Sequence, residues 1–141
     1  MKNLKFLLLL PFLMAFQCDE DEMENLENDN LNETGLMGSW EIADETRDGI
    51  SDMLPKCCRF LEFYTDSDPD DYTGSYTFTD DQGLTYNGEF TVNLSDGLIT
   101  FDNFDDDLII YDYSVDDSGE NLTFSFTENE VEVIQNWTKT N

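Results

Sequence analysis

The stretch GEFTVNLSDGLITF, residues 88–101, decides how the chain is read. Phe90, Val92 and Leu94 alternate with Thr91 and Asn93, which gives an extended strand one apolar face and one polar face. Ser95-Asp96-Gly97 follows with the chemistry of a tight hairpin, because glycine takes the positive φ such turns require. A second short apolar run, ending at Phe101, then starts at once.

The same period of two recurs on both sides. Tyr76 and Phe78 lie upstream; Ile109, Tyr111, Tyr113 and Val115, then Leu122, Phe124 and Phe126, lie downstream. Asp48-Gly49, Asp80-Asp81-Gln82-Gly83 and Asp116-Asp117-Ser118-Gly119 supply further turns. The pattern predicts about eight strands, near 38–46, 57–65, 73–80, 83–94, 98–102, 107–116, 120–127 and 130–138. Consecutive strands joined by hairpins, with no helical stretch between them, predict an all-β fold: an up-and-down antiparallel meander, closed as a barrel or stacked as a sandwich. Closure removes the sheet edges that a chain with 11 Phe and 6 Tyr would otherwise leave open to pairing, so the barrel is favoured.

Upstream of residue 36 the texture differs. Lys2 and Lys5 precede an apolar run from Phe6 to Phe16, too short to span a bilayer core that needs about 20 helical residues. A basic start and a short apolar stretch form the pattern of a secretory signal peptide, here residues 1–17. Its removal would take two of the 6 basic residues and none of the 33 acids, leaving a chain already at −27 more acidic still. Such charge repels phosphate, so a nucleic-acid partner is excluded. Residues 18–35 carry many acids and few sizeable apolar groups, and are expected to be a disordered, self-repelling tether or, alternatively, a short N-terminal helix.

Leu13-Met14-Ala15-Phe16-Gln17-Cys18 resembles the lipobox of bacterial lipoproteins, with Ala15 and Gln17 where the stricter motif carries Leu and a small residue. The resemblance implies cleavage after Gln17 and a lipid on Cys18. The acids Asp19 to Glu22 resemble the surface-export signal of Bacteroidetes lipoproteins, which implies anchoring on the outer membrane, exposed at the cell surface.

Gly38-Ser39-Trp40 resembles the G-x-W motif that opens lipocalin domains, and Trp137 and Lys139 stand in the last expected strand. Leu36, Gly38, Trp40, Trp137 and Lys139 together resemble the small lipocalin-like lipoproteins of Bacteroidetes. That likeness implies a lipocalin-like barrel over residues 36–141. It also implies that Trp40 packs across the closed end beneath Lys139, and that a small hydrophobic ligand binds inside. The competing reading is a structural or interaction lipoprotein, an accessory subunit or inhibitor, with a filled core and no ligand.

Chemistry is hard to place elsewhere. The chain has no histidine, which removes the usual general base and the commonest metal ligand, and no catalytic residue, cofactor or metal site is nominated. Asp66-Ser67-Asp68-Pro69-Asp70-Asp71 begins like a calcium loop but has Asp71 where such loops need glycine, and Thr77 where they need a bidentate Glu. Asp102, Asp105, Asp106 and Asp107 form a second acidic loop without recognised spacing. Cys57 and Cys58 are adjacent, so their side chains diverge in a strand. A vicinal disulfide in a twisted turn, two reduced thiols, or a link to a second molecule are the three readings.

Overall fold

Alternation becomes pairing in the computed structural model, which describes residues 30–51, 58–102 and 108–140. The strands are β1 (Gly38–Arg47), β2 (Ile50–Ser51), β3 (Phe60–Thr65), β4 (Thr73–Thr79), β5 (Thr85–Asn93), β6 (Leu98–Asp102), β7 (Leu108–Val115), β8 (Asn121–Glu128) and β9 (Val131–Thr140). From β3 onward each pairs antiparallel with the next, and β9 returns to β1 in a register running from Ser39 opposite Thr140 to Arg47 opposite Val133. The sheet therefore closes into an eight-stranded up-and-down barrel, and the sandwich alternative falls. β2 is the extra piece: it folds back on the end of β1 through Asp48-Gly49, both at positive φ.

Expected and observed strands differ mainly at their ends. The second expected strand begins at Phe60 instead of 57, and β5 stops at Asn93, leaving Leu94 exposed in the turn. The β8–β9 hairpin turns on Asn129 and Glu130, both at positive φ without a glycine. At the β7–β8 turn the Asp116 carboxylate accepts from Asn121 Nδ2 at 2.7 Å, Asn121 N at 3.1 Å, the Ser118 hydroxyl at 2.9 Å and Glu120 N at 3.0 Å. Those hydrogen bonds, the Asn121 amide foremost, hold its carboxyl well below the usual range.

The apolar half of each alternation points inward. Phe63 meets Phe90 edge to face at 4.9 Å, and Tyr76 meets Phe101 in the same way at 5.0 Å. Such pairs add about 0.5–1.5 kcal/mol each to the burial of their area.

One end of the barrel is sealed by chain expected to be tether. Asn30–Thr34 forms a single 3-10 turn, pinned by Asn30 N to Pro69 O at 2.9 Å and Asn30 Nδ2 to Asp70 O at 2.8 Å. Leu31 and Leu36 are fully buried in the core. Residues 30–34 thus pack with the barrel, because Leu31 finds an apolar site that its polar neighbours in sequence do not announce. Gly74 makes room for it: a Cβ there would lie 2.9 Å from Leu31 Cδ1 and 2.4 Å from the Tyr64 carbonyl oxygen.

Candidate binding cavity in the barrel interior

The inward register sets what faces the interior. Along β1, Trp40 and Ile42 point inward, and a register shift between Ile42 and Asp44 then changes the parity so that Glu45, not Asp44, is buried. The opposing strand β9 contributes Val133, Gln135, Trp137 and Lys139 on the same period.

Toward the sealed end Leu31, Leu36 and Trp40 pack in this interior. Toward the other end it opens into a cavity of about 320 Å³, with Tyr76, Phe101, Tyr111, Phe124 and Trp137 among its walls and Gln135 as a polar one. That is about ten waters' worth of volume and lies at the small end of the range for ligand sites. Tyr86 lines the cavity and is itself 46% exposed, which marks where the cavity meets solvent. Burial, with a smaller contribution from the Glu128 charge, pushes the Tyr111 hydroxyl up to about 12, so it faces the interior as a neutral phenol. A second depression, of about 260 Å³ at Glu41, Ile42, Ala43 and Thr138, lies over the bulge on the β1–β9 seam. It is shallow and opens broadly to solvent, with only Ile42 and Ala43 as apolar wall, so it makes a poor ligand site.

A polar cluster stands beside Gln135. The Glu45 carboxylate, 5% exposed, accepts from Gln135 Nε2 at 2.8 Å, Arg59 Nη1 at 3.0 Å and Arg47 Nε at 3.2 Å. Arg47 Nη1 also reaches Glu128 at 2.8 Å, so among the described residues two arginines and two glutamates share the cluster. Burial alone would push the Glu45 carboxyl up; the hydrogen bonds from Gln135 and Arg59 and the charges of both arginines outweigh it and hold it below the ordinary value.

A stability prediction follows from that sign. A depressed folded value means the contribution is present above the unfolded value of 4.5 and is lost as pH falls through the lower folded one. Glu45→Gln is expected to cost about 1.5–3 kcal/mol at neutral pH. Arg59, 22% exposed, can rehydrate, which keeps the loss below that of a fully buried pair. Urea unfolding at neutral pH and again near pH ~3 checks it: the gap between variant and parent should narrow in acid.

Trp137 differs from Trp40 in one respect. Trp40 Nε1 donates to Leu36 O at 2.7 Å, whereas Trp137 Nε1 is buried with no acceptor. An unmet buried donor costs roughly 1–3 kcal/mol.

The residues singled out in the sequence fall in several places. Gly38, Trp40 and Lys139 meet at the sealed end: Lys139 Nζ lies 5.3 Å from the Trp40 ring centroid, and Gly38 has φ +114° with Lys139 Cε 3.2 Å from where a Cβ would sit. Trp137 stands away from that contact, on the cavity wall. Cys58 is exposed with φ +90°, while Cys57 and Cys18 lie outside the described residues. In the Asp66 loop, Asp66, Asp68 and Asp71 each turn an oxygen onto a backbone N–H two residues on. Asp105, Asp106 and Asp107 are outside the described residues. Glu45, Arg59 and Gln135 were missed, since after Ala43 β1 carries only polar residues and no large apolar side chain reveals the change of parity.

No protein-family model matches this chain, and no curated protein sequence matches it. Among solved structures the chain is similar to a mutant of the fluorescent protein UnaG, with a TM-score of 0.50 and 13% identity over 76% of this chain and 97% of that one. It is also similar to a redesigned β-barrel, with a TM-score of 0.47 and 19% identity over 76% of this chain and 93% of that one. The likeness to UnaG carries the fold, a lipocalin-like β-barrel.

Proposed function

We propose that the protein is a surface-tethered lipoprotein whose barrel binds a small hydrophobic ligand. The observation that carries the reading is the cavity of about 320 Å³ with mostly aromatic walls. A filled interior would have favoured the structural or interaction reading, and the cavity speaks against it. We read the site as binding, not catalytic: a chain without histidine brings no ordinary general base to these walls. The lipid anchor rests on Cys18 and the lipobox-like residues before it.

The neutral dye prodan, small and sensitive to its surroundings, tests the cavity. Its emission should shift to the blue with the wild-type protein, and Ile109→Trp, which fills part of the cavity, should weaken binding at least ~10-fold with an unchanged far-UV CD spectrum. No shift with the parent, or equal binding by Ile109→Trp, would overturn the reading. Labelling with a lipid precursor tests the anchor separately: Cys18→Ser should abolish both label and membrane fractionation.

A further inference from the structure

We infer that the ligand of the barrel is a hydrophobic amine, bound as its ammonium, which donates an N–H to Gln135 Oε1 and rests its charge against the aromatic walls. This deepens the cavity reading proposed above and rests on it.

The first ground is an acceptor with nothing to accept. The ionised Glu45 carboxylate only accepts, so the contact with it at 2.8 Å must be made by Gln135 Nε2, and the amide oxygen is turned away from it. Among the described residues nothing donates to that oxygen. It is also reachable. Of the side-chain nitrogens and oxygens closed off among the described residues, only Trp137 Nε1 lacks a partner, so an unpaired Gln135 Oε1 has open surface. Gln135 forms part of the cavity wall, and a ligand that brings a donor completes it.

Charge is the second ground. Glu45 engages Arg59 and Arg47, and Arg47 also holds Glu128, so both described arginines at this end already have a carboxylate. Around the same end stand Asp80 and Asp81 in the β4–β5 turn, Asp102 at the end of β6 and Glu130 in the β8–β9 turn. Their sign is felt inside. Burial is the larger cause, but the Asp102 charge also pushes the Tyr76 hydroxyl up, and Glu128 and Glu45 do the same to Tyr111. Such a field draws a cation in and repels a carboxylate, within a chain of net charge −27.

The walls are the third. Tyr76, Tyr86, Phe101 and Tyr111 belong to a lining that is mostly aromatic. A ring face attracts an ammonium within about 6 Å of its centroid, and more strongly once water is excluded. That attraction offsets the cost of taking the charge out of water, which an aliphatic wall would leave unmet. The chain already uses this contact at its other pole, where Lys139 Nζ lies 5.3 Å from the Trp40 ring centroid.

Naphthylmethylamine, its N-trimethyl salt, naphthylmethanol and naphthoate separate these demands on one apolar skeleton. Calorimetric titration of the full chain at neutral pH should show the amine binding about tenfold more tightly than the alcohol, and naphthoate most weakly of all. The trimethyl salt keeps the charge but has no N–H, and should bind at least ~5-fold more weakly than the amine. In Gln135→Met that amine-to-trimethyl ratio, taken within the variant so that the bulk of the methyl groups cancels, should fall at least ~3-fold. On the parent protein the Gln135 side-chain ¹H–¹⁵N resonances should move far more with the amine than with the trimethyl salt, while the Trp40 indole resonance holds still. This measurement stands even if Gln135→Met folds poorly. An alcohol or naphthoate that binds as tightly as the amine, an amine no tighter than its trimethyl salt, a ratio that survives Gln135→Met, or prodan bound where the amine is not would each overturn the inference and leave the cavity as a ligand site. Binding of none of the four, together with silent prodan, would overturn the cavity reading itself.

Discussion

Replacing Trp40 with alanine should lower the unfolding free energy by about 3–5 kcal/mol, the largest single-residue loss expected in the barrel. Trp40 is fully buried, joins the core cluster with Leu31, Leu36 and Ile42, and anchors the start of β1 through its bond to Leu36 O. Alanine removes the ring, the hydrogen bond and the surface on which Lys139 rests. Trp40→Phe divides the loss: it keeps most of the apolar volume, drops the donor and should cost only about 1–2 kcal/mol. Urea unfolding followed by far-UV CD measures both. A Trp40→Ala loss below ~1 kcal/mol would mean the site collapses around the vacancy.

The second large effect lies outside the expected domain. Leu31→Ala should cost about 2–5 kcal/mol, the range for a fully buried leucine, although residue 31 sits in a stretch of polar and acidic sequence. Its side chain packs over Gly74 at the barrel end, where a Cβ on residue 74 would lie 2.9 Å from Leu31 Cδ1 and 2.8 Å from Phe90 Cε1. Glu33, on the same 3-10 turn, is exposed, and Glu33→Ala serves as the control with an effect within about ±0.5 kcal/mol. Were the two variants to unfold alike, the turn would be an ornament on the barrel instead of its stopper.

The barrel was legible because its physics is local. Strand alternation in Phe90 and Val92, in Tyr111 and Tyr113, and in Leu122 and Phe124 depends only on neighbours two residues apart, and each of these side chains does face inward. Asp-Gly and Ser-Gly turns announce themselves for the same reason. The Asn129-Glu130 turn carries no glycine to mark its positive φ, and only the break between the expected strands 120–127 and 130–138 placed it. Leu31 was illegible for a different reason: a lone leucine among acids reads as solvated tether until the chain it docks on, some forty residues away at Pro69 and Gly74, is in place.

Less of the site could be read. The aromatic walls are the alternating residues themselves, but the polar cluster depends on the register shift after Ile42, which decides whether Asp44 or Glu45 enters the core. One signal was available in hindsight of the geometry. In a chain with 33 acids and only 6 basic residues, Arg47, Arg59 and Lys139 are scarce, and each is held at the barrel interior or its end. Scarce charge of the minority sign is where a carboxylate can be buried, and Glu45 uses two of the three.

The closing pair of strands has one more consequence. Ser39 lies opposite Thr140, so the barrel's first and last strands begin and finish side by side at the pole that Leu31 and Trp40 seal. The described chain therefore enters at Asn30 and leaves at Thr140 on one pole while the cavity faces the other, beyond the turns at residues 80–84 and 129–130. Immobilising the domain on a bead or sensor chip through either end leaves the cavity facing the bulk phase, and a circular permutant that joins the ends and reopens the chain at the exposed turn of residues 94–97 keeps every strand of the barrel whole.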